Sequence, residues 1–398
     1  MSEQILPGEN FYKYVNNEWL NDPNNQIPAD YSSWGGFTKL YDYGLIKQIN
    51  LVKDLENGAN NEEEKKIYSI WKASEKRFEL WNMPIIKECD YNPIKNELNI
   101  LDNFYTQSDN YIDFLSKYLH YSQINGISNV TCFDSGSDLK NVNNVVLDFS
   151  VGGLSLPSRE YYTSSDFEDK LLLFRTHLEN VKNILQEWIT LDKNFVNNVL
   201  DFENKIADYT LSPDQSREYD KYYTNTELVN IYTKMNELNS LPRKQDNYID
   251  VVKNFTLNDA ELEQTASLFE NMYKLFDFRH ILEENYQKHF SNKENTEQFN
   301  KHHITAYDGD GIRRCMQLIL NPDNYECYHS YLQYQIIKCF QSYCTKELDE
   351  EFFDFYSRKL GGQTEQKPEE KRSINIVNHY AGEMLGKIFV SKCFSKDC

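Results

Sequence analysis

The chain has 398 residues, a length that suits two or three domains or one large domain with a substantial core. Its hydrophobic share of 40% and charged share of 26% are those of a globular protein and exclude a disordered one. The 62 Asp and Glu residues outnumber the 42 Lys and Arg residues, so the formal net charge is −20. We therefore expect no nucleic-acid partner and no membrane partner, because general binders of either kind need a basic surface.

Three features of the sequence predict an intracellular, cytoplasmic protein. There is no run of the ~20 apolar residues that a membrane-spanning helix needs. Residues 1–10 contain neither the basic nor the apolar segment of a secretory signal. The eight cysteines are sparse and show no closely paired spacing, which indicates reduced thiols rather than a disulfide framework.

Residues 1–40 differ in composition from the rest of the chain. Pro7, Pro23 and Pro28 occur there together with several glycines, a density that disfavours long helices. Large aromatic residues lie between them: Phe11, Tyr12, Tyr14, Trp19, Tyr31, Trp34 and Phe37. Side chains of this size need an apolar surface to bury against. We therefore predict an extended N-terminal arm over residues 1–40 that packs on a neighbouring apolar surface.

From about residue 41 onward the apolar residues recur with the period of a helix. The clearest case is residues 166–189, where Phe174, Leu178, Val181 and Leu185 follow one another at intervals of three or four. Similar patterns predict further helices near 60–81, 108–121, 195–206, 259–277, 323–345, 347–360 and 371–392. The fold class that follows is mainly α, with one large helical domain over residues 41–398.

Residues 128–157 interrupt the helical pattern. Two short β-type runs, at 129–133 and 145–149, are separated by a polar stretch rich in Ser, Gly and Asp. This arrangement predicts a small β-hairpin within 128–150, followed by a tight turn at 152–157. Residues 286–303 are polar and charged, which is typical of a surface loop.

The sequence carries no recognisable catalytic or metal-binding motif. A zinc peptidase helix places histidines at i and i+4, and none of the eight histidines has another histidine four residues later. His280 with Glu284 and His379 with Glu383 are best interpreted as polar pairs on helix surfaces. Residues 308–311, Asp-Gly-Asp-Gly, begin like a calcium loop, but Ile312 takes the third ligand position. We therefore predict no catalytic residue, no metal ligand and no cofactor in this chain.

Five blocks of sequence, in order, nevertheless carry a family resemblance. They lie at residues 7–37, 153–162, 203–207, 353–362 and 377–390. The second block, Gly-Leu-Ser-Leu-Pro-Ser-Arg-Glu-Tyr-Tyr, is similar to the Gly-Leu-x-Leu-Pro-x-Arg-Asp-Tyr-Tyr motif of the neprilysin and endothelin-converting-enzyme family of zinc metallopeptidases. The third, Glu-Asn-Lys-Ile-Ala, resembles the Glu-x-x-Ile/Leu-Ala helix of that family. Together the blocks span nearly the whole chain.

The resemblance implies one lobe of a two-lobed enzyme. In this family a helical lobe caps a thermolysin-like catalytic lobe and limits substrate size, and the catalytic lobe holds the zinc-binding His-Glu-x-x-His motif. This chain resembles the helical lobe alone. We therefore expect it to be inactive by itself, with zinc present only in a missing or separate catalytic lobe. Secreted members have arm cysteines where this chain has Gly8 and Asn16, which agrees with a cytoplasmic location.

The same resemblance assigns structural roles to the motif residues. It implies that the arm aromatics bury against the catalytic lobe, that Arg159 forms a buried pair, and that Gly382 and Gly386 allow another helix or chain to approach closely. The residues concerned are Phe11, Tyr12, Trp19, Pro28, Trp34, Gly35, Phe37, Leu156, Pro157, Arg159, Tyr161, Tyr162, Glu203, Ala207, Gly382 and Gly386.

Three functions are consistent with these observations. The chain is either the substrate-gating half of a truncated or split zinc endopeptidase, a stand-alone pseudo-peptidase that captures peptides or a partner protein, or an inactive remnant. The partner in the first case is a separately encoded catalytic lobe. The aromatic arm favours this interpretation, because without a lobe to cover it the arm would leave a large apolar patch.

Overall fold

The computed structural model describes residues 5–227 and 303–393, apart from residues 57, 60, 83–87, 110, 140, 144, 219, 220 and 222. The described part is mainly α, as predicted. In chain order its helices are α1 (Phe11–Asn21), α2 (Gly36–Asp54), α3 (Glu62–Trp81), α4 (Asn92–Gln107), α5 (Tyr111–Ile124), α6 (Glu160–Thr163), α7 (Glu168–Leu185), α8 (Phe195–Tyr209), α9 (Gly309–Leu320), α10 (Tyr325–Phe340), α11 (Lys346–Phe352) and α12 (Glu369–Cys393). None of these helices combines the length and the apolar character that a membrane span requires.

The chain divides into two compact units. The first contains residues 1–87 and 345–398, and the second contains residues 88–344. In the first unit, α12 packs against α2 and α3 around a core that includes Trp71 and Leu385. Asn61 caps α3 by accepting the N–H of Glu64 at 2.8 Å. The aromatic and aliphatic stripes of these helices therefore bury one another, as helical periodicity predicts.

The second unit is built around the pair α8 and α10. Phe202 of α8 and Tyr331 of α10 are fully buried, with ring centroids 4.9 Å apart. On α7, the predicted stripe of Phe174, Leu178, Val181 and Leu185 is also fully buried. The buried phenol rings of α10 give this core an unusual tyrosine content. The Tyr328 hydroxyl has a polar partner inside this core, since it donates to Asn129 Oδ1 at 3.0 Å.

A four-stranded sheet belongs to the second unit. Strands β1 (Thr131–Ser137) and β2 (Val145–Val151) form the antiparallel hairpin that the sequence predicts, with Thr131 opposite Val151. Two further strands, β3 (Tyr223–Glu227) and β4 (His303–Tyr307), extend it in the order β1-β2-β4-β3. Strand β4 runs parallel to β2 and antiparallel to β3. The sheet is thus larger than predicted, because β3 and β4 are short polar segments whose pairing is non-local.

Most predicted helices within the described residues are present. Five helices have no counterpart among the predicted ranges: α1, α2, α4, α6 and α9. Residues 353–360 continue α11 as a π-helix. The Asp-Gly-Asp-Gly stretch proves to be the start of α9, since the Asp308 side chain accepts the N–H of Gly311 at 2.9 Å. The predicted helix at 259–277 and residues 286–302 of the predicted loop lie outside the described residues.

The arm is not extended throughout, which corrects the prediction for residues 1–40. Residues 11–21 form α1, because they contain neither proline nor glycine and Asn10 caps them by accepting the N–H of Lys13 at 2.9 Å. A single 3₁₀ turn at Pro23–Asn25 follows, and residues 26–35 are irregular. Helix α2 then begins at Gly36, so the predicted boundary at residue 40 falls inside a helix.

Candidate functional site

The described residues do not fit a zinc site. Nowhere among them do three or more His, Cys, Asp or Glu side chains come together in a way that would hold a metal ion. Two histidines of the second unit are instead held by protein groups. The Nε2 atom of His177 lies 3.1 Å from the Tyr334 hydroxyl. His329 lies between two carboxylates, with Nδ1 2.9 Å from Asp192 and Nε2 3.2 Å from Asp102. We assign no catalytic step to the described residues.

The motif residues of the second unit meet at Glu203. This α8 carboxylate is fully buried and accepts the backbone N–H of Ser155 at 3.0 Å, the Ser155 hydroxyl at 2.6 Å and the Tyr162 hydroxyl at 2.5 Å. Gln335 of α10 donates to the same carboxylate at 3.3 Å and to Ser155 Oγ at 3.1 Å. Burial raises the pKa of Glu203, although the hydrogen bonds from Ser155 and Tyr162 act against that effect. The cluster therefore joins α8, α10 and the turn at 152–162.

The other motif residues of this turn support the same arrangement. The Tyr162 hydroxyl accepts the backbone N–H of Leu156 at 2.9 Å, which closes the turn through Pro157. Arg159 donates to the backbone carbonyl of Thr210 at 2.9 Å, just after α8, so its partner is a peptide group. Tyr161 stacks on Phe167 with centroids 4.4 Å apart, and Ala207 is fully buried on α8. All of these contacts are made between described residues of the second unit.

Gly153 allows this turn to lie close to Tyr331 and Asn129. Gly153 has φ of +90°, and a Cβ atom there would lie 2.2 Å from the Tyr331 hydroxyl and 2.9 Å from the Asn129 carbonyl oxygen. The Tyr331 hydroxyl is itself buried without a hydrogen-bond partner. The glycine is therefore needed both for its backbone conformation and for its lack of a side chain.

In the first unit, the irregular part of the arm is anchored by residues that precede and begin α12. The Lys371 ammonium lies 3.0 Å from Asp30 Oδ2 and 2.6 Å from Asp42 Oδ1. Burial lowers the pKa of Lys371, but the hydrogen bonds to Asp42 and Asp30 outweigh it and raise the pKa overall. The Tyr31 hydroxyl donates to the same Asp42 oxygen at 2.6 Å, and Lys367 Nζ lies 3.4 Å from the centre of the Tyr31 ring.

Backbone hydrogen bonds complete this anchor beside Pro28. The carbonyl of Ala29 accepts the N–H groups of Thr364 at 3.1 Å and Glu365 at 2.9 Å. The carbonyl of Pro28 accepts the N–H of Tyr31 at 3.0 Å, which forms a turn. The segment after Pro28 is thus tied to residues 364–371 through both backbone and side chains.

Helices α1 and α2 and the segment between them expose many apolar side chains. We call them the arm surface; it consists of Phe11, Tyr12, Tyr14, Val15, Leu20, Ile27, Phe37, Leu40, Tyr41, Tyr43 and Ile46. Phe37 is 92% exposed and Phe11 is 67% exposed. Trp19 and Trp34 are half-buried by their own unit, with Lys39 Nζ 5.6 Å from the Trp19 ring and the Tyr31 ring 5.0 Å from that of Trp34. No described atom approaches the Cβ position of Gly35 within 4 Å.

Gly382 and Gly386 lie on α12, next to a kink at Ala381. No described heavy atom lies within 4 Å of the Cβ position of either glycine. The close approach predicted at these glycines is therefore not made by the described residues of this chain.

Several residues of these clusters were not singled out from the sequence. Ser155 lies inside the motif at residues 153–162, so its place in that motif was the one signal that could have identified it. Lys371 and Asp42 gave none, because a lysine in the charged run 369–372 and an aspartate in a helix are typical of solvated surfaces. Gln335 also gave no signal, because it lies among the aromatic and aliphatic residues of α10, whose pattern predicts only a core helix.

Comparison with known proteins supports one family. A family model described as peptidase family M13 matches residues 7–398. Endothelin-converting enzyme 1 of Rattus norvegicus is 21% identical over 411 residues, which cover 100% of this chain and 45% of the relative. Neprilysin-3 of Drosophila melanogaster is 26% identical over 236 residues, covering 55% of this chain and 28% of that protein.

Two solved structures share the fold. The zinc metalloprotease ZMP1 of Mycobacterium tuberculosis, in complex with an inhibitor, superposes with a TM-score of 0.68 at 16% identity, covering 100% of this chain and 52% of that one. PEPO from Lactobacillus rhamnosis superposes with a TM-score of 0.61 at 13% identity. That match covers 99% of this chain and 52% of the PEPO chain. The chain spans about half the length of the relatives that it matches over its whole length.

Proposed function

The chain belongs to peptidase family M13, and we propose that it is the non-catalytic, substrate-gating part of a neprilysin-like zinc metalloendopeptidase. It corresponds to the N-terminal region of that family. In this proposal the zinc ion, its ligands and the peptide-cleaving groups belong to a catalytic lobe that this chain does not contain. The helical units limit which substrates reach that lobe, and the arm surface is where the lobe docks.

The observation that carries the proposal is the exposure of the arm surface. Phe37 and Phe11 project into solvent although large aromatic side chains favour burial. Covering one such side chain contributes roughly 1.5–3 kcal/mol. Exposed apolar patches on this scale mark interaction sites. The buried Glu203 cluster, by contrast, supplies rigidity and no chemistry, which suits a gating role.

A reconstitution experiment tests the proposal. The full chain is mixed with a zinc-binding lobe that carries His-Glu-x-x-His and is encoded by the same genome, and complex formation and peptidase activity are measured. We expect a complex whose activity on long peptides differs from that of the lobe alone. Phe37→Ser should weaken the complex, whereas Leu172→Ser should not, because Leu172 is a matched exposed residue of α7 in the second unit, 63% exposed.

Two results would overturn the proposal. One is a failure of the wild-type chain to bind the lobe under conditions in which both are folded. The other is tight binding of peptides by the chain alone, which would support the stand-alone binding module instead. Equal effects of the Phe37 and Leu172 substitutions would show that the arm surface is not the docking site.

A further inference from the structure

We propose that Lys371 is a positioning residue that holds the arm surface in its docking conformation. This inference rests on the proposed function, since it assumes that the arm surface binds a catalytic lobe. It goes beyond that function by assigning the positioning of Phe37 to the largely buried ammonium group of Lys371, near the start of α12.

The first argument is where the two carboxylates lie in the chain. Asp30 precedes the exposed segment 32–37 and Asp42 follows it within α2, and Lys371 binds both, at 3.0 and 2.6 Å. A single ammonium group therefore clamps the two ends of the segment that presents Phe37. If either bond breaks, one end of the segment loses one of the contacts that hold it in place.

The second argument is that the clamped segment has few contacts of its own. Trp34 packs on Tyr31, but Ser32 and Ser33 are exposed, and no described atom outside the neighbouring residues approaches the Cβ positions of Gly35 and Gly36 within 4 Å. Backbone of this kind loses much conformational entropy when it is ordered. Its order must therefore come from its two ends, where the anchor lies.

The third argument is the burial of the charges. The side chains of Lys371, Asp30 and Asp42 are only 16%, 15% and 17% exposed. Removing one partner of an ion pair with so little solvent contact is strongly destabilising, because the remaining charges stay largely desolvated and lose their ion-pair partner. Without the ammonium group, Asp30 and Asp42 would also repel each other. Loss of Lys371 should therefore open the segment locally.

Local opening has a defined effect on docking. If only a fraction of the molecules holds the arm in the binding conformation, the apparent Kd rises by the inverse of that fraction. A Lys371→Met variant that keeps the conformation in about one tenth of its molecules would bind the lobe about tenfold more weakly. Lys371→Arg keeps the charge and offers forked donors to both carboxylates, so it should bind within about threefold of the wild type.

The test combines hydrogen exchange of the full chain with binding to the zinc-binding lobe described above. In Lys371→Met we expect faster exchange in residues 29–37, unchanged exchange in α3, and a higher Kd. Lys371→Arg should restore both values. The control is Lys387→Met on the same helix, where the lysine forms only an exposed pair with Glu383 at 3.0 Å. A general loss of stability would instead raise exchange in α3 as well.

The outcomes separate the two proposals. A wild-type chain that does not bind the lobe overturns the proposed function and this inference together. Wild-type binding with an unchanged Kd in Lys371→Met, or unchanged exchange in residues 29–37, overturns this inference alone. Should Lys371→Met fail to fold, Asp30→Asn replaces it, because that change leaves the Lys371–Asp42 bond in place and should shift both readouts in the same direction.

Discussion

Ser155 donates both its backbone N–H and its hydroxyl to the carboxylate of Glu203, at 3.0 and 2.6 Å, across 48 residues of sequence. The two residues belong to two separate blocks of family resemblance. Their contact joins the two blocks in the folded chain. The turn supplies the hydrogen-bond donors, and α8 supplies the buried acceptor.

Replacing Glu203 should destabilise the second unit strongly. Glu203→Ala removes the carboxylate that accepts hydrogen bonds from Ser155 and Tyr162 and one of the two acceptors of Gln335. We expect the free energy of unfolding to fall by about 2–4 kcal/mol. Urea unfolding followed by circular dichroism measures this change. The exposed Glu187 provides the control, since Glu187→Ala should change stability by no more than about 0.5 kcal/mol. Similar losses for both variants would contradict the structural role of the cluster.

Gly153→Ala should be more destabilising than Gly126→Ala. Both glycines have positive φ, +90° and +67°, but only Gly153 has atoms where a Cβ would lie. The left-handed conformation alone costs about 1–2 kcal/mol, and the clash with Tyr331 adds to it. Because the Tyr331 hydroxyl has no hydrogen-bond partner, Tyr331→Phe should be nearly neutral and should partly rescue Gly153→Ala. Thermal unfolding of the four variants tests this, and a lack of rescue would place the strain at the Asn129 carbonyl.

His329 should make the stability of the second unit depend on pH. Burial lowers its pKa, but the hydrogen bonds to Asp192 and Asp102 outweigh burial and raise the pKa above 6.5. A group whose pKa is raised on folding stabilises the protein fully below its unfolded pKa and loses that contribution as the pH rises through the folded value. We therefore expect the unfolding midpoint to fall as the pH increases above about 6.5.

Substitution of His329 identifies the source of that dependence. His329→Gln should remove this part of the pH dependence, while the exposed His379 serves as the control, with His379→Gln leaving it in place. A pH profile that is the same in wild type and His329→Gln would mean that another group is responsible.

The isolated chain should neither hydrolyse peptides nor bind zinc tightly. A hydrolytic zinc site needs three protein ligands around an open position, and the full sequence contains no His-Glu-x-x-His motif. Metal analysis after dialysis and a peptide cleavage assay with and without a chelator measure both properties. Stoichiometric zinc together with chelator-sensitive cleavage would refute the prediction.

The sequence by itself was enough for the helical fold and the family. The stripe from Phe174 to Leu185 is local, because a helix brings residues three and four apart onto one face whatever surrounds it. The hairpin of β1 and β2 joins segments that are close in the chain. The turn at 153–162 could be recognised from its own residues. Each of these features depends on short-range periodicity or on a contiguous motif.

Only the tertiary structure decided which polar residues meet. Lys371 lies 341 residues from Asp30, and the contact between them is invisible to periodicity because each residue alone resembles a solvated surface charge. The same holds for β4, which joins β2 in parallel across 157 residues, from Asp148 to Thr305. The arm prediction was wrong over residues 11–21 for a local reason instead, since the cap at Asn10 and the proline-free stretch after it outweighed the overall proline and glycine content. Local patterns determine the elements, whereas the burial of charges and the pairing of distant strands depend on the packed fold as a whole.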